Sequence, residues 1–146
     1  MMKHFSMNEL TRSETAERLG IRNNPDENVR SRLEQLVENT LDPLREAYGK
    51  PINVNSGYRC PRLNKAVGGS ANSGHMYGFA ADITTGTKKG NRKLWDIVVQ
   101  NNIPFTKMID EQGFSWIHIS YDADNVKRQK MRATKDSSGR WRYVNA

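Results

Sequence analysis

One cysteine in 146 residues, Cys60, excludes an internal disulfide framework and any zinc site built on several thiolates. No run approaches the roughly 20 apolar residues that a membrane span needs. The start, Met1-Met2-Lys3-His4-Phe5-Ser6-Met7-Asn8-Glu9, has no apolar segment, so no signal peptide is expected and synthesis is expected to be cytoplasmic. Histidine is scarce, with three residues, which narrows any imidazole chemistry to His4, His75 and His118. Acidic residues are outnumbered 16 to 23, leaving a net charge of +7. Such a balance draws polyanions, among them nucleic acid, anionic lipid and cell-wall polymers, without choosing between them. No helix is dense in Lys and Arg and no RNA-binding or zinc-finger motif occurs, so nucleic acid is not an expected partner.

What is present fits one domain over residues 1–146, expected as a monomer. The hydrophobic fraction of 36% and twelve aromatics, three Trp, five Tyr and four Phe, are enough to build a core. Residues 1–49 read as helical. Ser6 with Glu9, and Thr11 with Glu14, have capping-box spacing, and Gly20 reads as a stop. Asn24-Pro25-Asp26 reads as a helix start. Val29, Leu33, Leu36, Val37, Leu41 and Leu44 follow on one stripe, with a kink expected at Pro43. Residues 50–133 carry the glycines and the unusual polar residues. Pro51–Asn55 alternates like a short strand, an amphipathic helix is expected around Leu94–Val99, and strands at 106–110 and 115–121. Residues 134–146 form a basic, hairpin-like tail. Its Lys135, Arg140 and Arg142, with Lys127, Arg128, Lys130 and Arg132 before it, suit either a cationic edge that resists aggregation or a polyanion-contacting surface. Helices first and short strands later give an α+β class: N-terminal helices packed on a small, largely antiparallel sheet.

His4 sits in a frayed terminus with no role expected. His75 and His118 have different surroundings. In Trp116-Ile117-His118-Ile119-Ser120 the two isoleucines share one strand face, and His118 faces the other with Trp116 and Ser120. In Phe79-Ala80-Ala81-Asp82-Ile83 the same alternation sets Asp82 opposite an apolar back. Two imidazoles and a carboxylate make a zinc-type donor set with a position left open for water. Spacing alone does not separate that set from ordinary surface polarity.

The string Ser73-x-His75-x-x-Gly78-x-Ala80-x-Asp82, followed by Trp116-x-His118, resembles the zinc D-Ala-D-Ala carboxypeptidase family, in its phage-endolysin branch. Asn55-Ser56-Gly57-Tyr58-Arg59-Cys60-Pro61-x-Leu63-Asn64, Val67-Gly68-Gly69 and Leu41-Asp42-Pro43-Leu44-Arg45 are similar to it as well, so the likeness runs from about Phe5 to about Ala133. The resemblance implies a zinc peptidase in an open groove, cutting D-Ala-containing stem or cross-link peptides of peptidoglycan. It implies His75, Asp82 and His118 as zinc ligands and Arg59 as the residue that binds substrate and polarises its carbonyl. Ser73 matches a serine lining the substrate site, and it would serve equally as a local cap. Anionic wall polymers are possible further partners, and the protein would act on the wall once released, as phage endolysins do.

One position departs from the family. Many relatives carry the catalytic acid three residues before the last histidine, where this chain has Ser115. The phage-type branch has an acid at the end of the preceding strand, which Glu111 matches with one extra turn residue. If Ile109 shares the core face with Ile117, Asp110 points toward the zinc instead, so register decides between the two acids. Ser115 also supports a second reading, a catalytically impaired zinc module that recognises wall peptides. Cys60 has no histidine left to activate it and reads as a half-buried thiol.

Overall fold

A computed structural model describes residues 1–146. Short helices α1 (Met7–Thr11) and α2 (Glu14–Leu19) lead into α3 (Glu27–Leu36), a π-helical turn (Val37–Leu41) and α4 (Asp42–Tyr48). Ser6 and Glu9 close a reciprocal capping box on α1. Thr11 and Glu14 do not form the second box: Ser13 caps α2 by accepting from the Ala16 N–H, while Thr11 donates back to the Met7 carbonyl. Gly20 ends α2 in the left-handed region and Asp26 caps α3. Pro43 lacks the N–H that would continue the α ladder, and the wider π-turn just before it absorbs that loss without breaking the rod.

The remaining elements are β1 (Asn53–Ser56), α5 (Pro61–Ala66), β2 (Ala80–Thr84), α6 (Lys88–Gln100), β3 (Lys107–Glu111), β4 (Trp116–Ser120), β5 (Gln129–Lys135) and β6 (Trp141–Asn145). One six-stranded sheet runs β1-β2-β4-β3-β5-β6. Every pairing is antiparallel except β3 with β5. The expected α+β architecture is therefore present. The basic tail is hairpin-like and forms one edge of this sheet.

Strand alternation sorts the two faces. Val54, Ala81, Ile83, Ile117, Ile119 and Met108 are buried against the helical stripe Val29, Leu33, Leu36, Val37, Leu41 and Leu44 and against Leu94 and Val98 of α6. Each fully buried Leu or Ile contributes about 1.5–3 kcal/mol, so this layer carries the stability. The opposite face, with Asp82 and His118, takes no helix from this cluster. That face, partly covered by the loop ahead of β2 and by its own side chains, is the platform on which the site is built.

Candidate metal centre

Asp82 and His118 stand directly opposite each other on paired strands β2 and β4. His75 reaches them from a 3-10 turn, Gly74–Met76, just ahead of β2. The His75 Nε2 to Asp82 Oδ1 distance is 3.3 Å, and His118 Nδ1 to the same oxygen is 3.2 Å. The two imidazoles meet edge to face with centroids 5.1 Å apart. One donor atom from each residue falls within 4.8 Å of the others. Donor atoms on a tetrahedral zinc, each about 2.0–2.1 Å from it, lie about 3.3 Å apart, so this set fits the ion.

The hydrogen bond behind His75 sharpens the test. Its Nδ1 lies 2.7 Å from the Gly57 carbonyl, which only accepts, so Nδ1 carries the proton and Nε2 presents a lone pair. That lone pair faces a carboxylate oxygen. Two acceptors at 3.3 Å need a cation between them, either a proton or a metal. Burial by itself would raise the Asp82 carboxyl, but the two imidazoles outweigh it and hold the group well below the usual carboxylate range. Asp82 is thus an anion ready to bind a cation.

The motif glycines have physical reasons. Gly78 sits at φ 83°, and a Cβ there would come within 2.6 Å of the Val29 carbonyl of α3. Gly57 follows a bulge at the end of β1, where the chain leaves the sheet. A Cβ on Gly57 would come within 2.2 Å of the Leu10 carbonyl, which accepts from the Tyr58 N–H at 2.7 Å. Gly57→Ala should therefore displace the carbonyl that holds His75 and weaken zinc affinity about 10- to 100-fold. Titration with a competing chelator measures it; unchanged affinity would remove Gly57 from the support of the site.

Arg59 follows at once. Its backbone N–H donates to the His75 carbonyl at 3.0 Å, and its Nη2 donates to Ser73 Oγ at 3.3 Å. Its Nε is buried without a partner. Burial lowers the guanidinium's basicity and the Asp82 charge beside it opposes that; an arginine stays charged there. Ser73 Oγ also accepts from the His75 N–H at 3.2 Å, so the serine caps the turn and steadies Arg59 together. Asn23 was not apparent from the sequence. Its amide donates to the Thr11 and Tyr58 carbonyls and accepts from the Cys60 N–H, clamping the loop that carries Arg59. Its only sequence signal was its place before the turn at Pro25. A cleft of about 630 Å³, lined by Arg59, Ser56, Asn55 and the α1–α2 corner at Arg12 and Glu14, opens beside it.

Register separates the two acids. Glu111 pairs with Trp116 and Ile109 with His118, so Glu111 shares the face of Asp82 and His118. Asp110 pairs with Ile117 on the opposite face. There it accepts from the Phe114 N–H at 2.6 Å and pairs with Arg132 at 3.5 Å, which occupies its carboxylate in the β3–β4 turn. Burial first, and then the nearby Asp82 charge, push Glu111 up to about 7. Ser115 turns back to donate to the Gln112 carbonyl at 2.7 Å. Cys60 is half-buried beside the loop.

The Peptidase M15 family profile matches residues 3–120. The chain belongs to the peptidase M15 family. A stretch of 49 residues is 51% identical to the zinc D-Ala-D-Ala carboxypeptidase of Streptomyces albus G, covering 33% of this chain and 19% of that protein. Family, relative and donor set agree on zinc as the cofactor of this M15 chain. No helix is long and apolar enough to cross a membrane.

Proposed function

We propose that this M15 protein is a zinc peptidase that hydrolyses D-Ala-containing peptide bonds of bacterial peptidoglycan, in the stem or in a cross-link. The observation that carries the reading is the convergence of a His-Asp-His donor set with one carboxylate, Glu111, on a free sheet face, and with a cationic donor, Arg59, on the adjoining loop. In this reading His75, Asp82 and His118 hold the zinc. When bound, the ion supplies Lewis acidity and makes water a nucleophile near neutral pH.

The chain's own groups supply the rest. The Glu111 carboxylate takes a proton from the attacking water and returns it to the leaving nitrogen. The Arg59 guanidinium, held by Ser73 on one side, offers its remaining N–H groups to the scissile carbonyl oxygen, where negative charge develops. Ser73 belongs to the substrate site through that contact. A role as a phage-type endolysin goes with this reading, supported by the position of the acid at the end of β3.

The test is digestion of purified peptidoglycan, with and without chelator, and mass analysis of the products. Release of D-Ala or of separated stem peptides, lost with chelator, is expected. A zinc-loaded protein that binds walls and cuts nothing would favour the impaired recognition module that Ser115 suggests. Arg59→Ala should lower turnover on the order of a hundredfold with zinc content unchanged. Arg59→Lys should rescue poorly, because an ammonium lacks the planar fork. Turnover near wild type in Arg59→Ala would return the residue to a structural role.

A further inference from the structure

The free sheet face continues beyond the zinc site. Glu111, Ala133 and Tyr143 lie in register across β3, β5 and β6, and Trp116 heads the same row on β4. Trp141 is two residues before Tyr143 on β6 and therefore on the same face. Its ring meets Trp116 edge to face at 6.4 Å, and the small Ala133 is fully buried among these larger neighbours. Trp141 and Tyr143 are stacked, inclined by 28° with centroids 6.4 Å apart, and form an aromatic platform, 38% and 52% exposed. Burial, and then the charges of Glu111 and Asp82, raise the Tyr143 phenol above its ordinary value, so the platform and the site share one electrostatic field.

An edge strand does not need large exposed aromatics; cations are the usual guard against edge pairing. Grouped exposed rings beside a groove mark a binding surface. We propose that Trp141 and Tyr143, with Trp116 behind them, hold the glycan strand of peptidoglycan while its peptide branch lies in the zinc groove. This rests on the peptidase reading given above. The apolar C–H faces of a pyranose ring pack on the negative π-faces of indole and phenol rings as one aromatic edge packs on another. Lys135, whose Nζ stands 5.1 Å over the Trp141 ring, adds a cation for the carboxylates of the peptide branches. The platform adjoins the zinc face directly: the Trp141 ring reaches Trp116, which lies two residues from His118 on β4. Trp141 and Tyr143 lie on the C-terminal hairpin, beyond residue 120 where the family match ends.

Binding of the whole zinc-loaded protein to peptide-free glycan strands of alternating N-acetylated sugars tests this. Trp141→Ala and Tyr143→Ala should each weaken binding about tenfold, and the pair further. Trp141→Phe should keep most of it, and Leu19→Ser, a remote exposed apolar residue, should change nothing. Zinc content and the far-ultraviolet spectrum should match wild type, so a lost fold is recognised. A wild-type protein with no affinity for the strands, or a Trp141→Ala variant that binds as well as wild type, overturns the proposal. So does a concentration-dependent dimer in sedimentation that Trp141→Ala dissociates, since the platform would then belong to a second copy. Release of D-Ala from free peptides, which carry no glycan, scores the peptidase reading separately.

Discussion

Glu111→Gln is expected to keep zinc and to lose roughly a hundredfold or more in rate. Glutamine preserves the side chain's shape and its place beside Trp116 but cannot carry the proton. Geometry counts against the rival acid: Asp110 points to the core side and is occupied by the Phe114 N–H and Arg132. Asp110→Asn should therefore leave most of the rate and lower stability instead, by about 1–3 kcal/mol for a buried hydrogen-bonded charge weakened. The reverse order of damage would move the proton role to Asp110. The pH dependence gives a second reading of the same residue. In the metal-free protein the folded state holds Glu111 protonated up to about 7, above its ordinary 4.5. The folded state then binds more protons than the unfolded state, so this group's contribution to stability falls as pH rises through that window. Glu111→Gln should flatten the decline. A bound dication lowers the carboxyl again, so the difference between variant and wild type should shrink on adding zinc. Identical pH profiles of stability in the two metal-free proteins would show that the carboxyl is not perturbed.

The same register explains what could and could not be read from the chain. Alternation in Phe79–Ile83 and Trp116–Ser120 put Asp82 and His118 on polar strand faces, because each strand has an unbroken period of two. It failed for β3. Ile109 and Ile117 look like partners on a core face, yet Ile109 lies across from His118. The chain between them turns through three consecutive residues of positive φ, Gln112, Gly113 and Phe114, and no spacing rule crosses such a turn. The parallel β3–β5 pairing is equally invisible: it joins strands separated by β4 and a loop, and nothing local encodes it. The Gly57 carbonyl behind His75 is a backbone group, so its role leaves no mark in the sequence beyond a glycine. The Thr11–Glu14 spacing matched a cap, but Ser13 lay nearer the true start of α2 and took the position.

The largest effect should come from the proposed metal ligands, His75, Asp82 and His118. His118→Ala is expected to abolish tight zinc binding and activity, with chelator-treated wild type as its match. Three donors from two strands and a turn act together, and with one removed the remaining His75 and Asp82 leave two positions to water instead of one. The fold should persist. None of the three residues belongs to the 20-residue apolar cluster between sheet and helices, and His118 sits on the free face. What the variant loses in stability is the binding term alone, about 4 kcal/mol when free zinc exceeds its dissociation constant a thousandfold. Melting curves with and without added zinc should therefore coincide in His118→Ala and separate in wild type. Asp82→Asn should fall between, because an amide oxygen can still coordinate but no longer supplies the anion that the two imidazoles hold ionised. Full zinc occupancy in His118→Ala would sink the ligand assignment. A variant that loses zinc and unfolds in the same step would place the ion in the fold itself, as a structural rather than catalytic site.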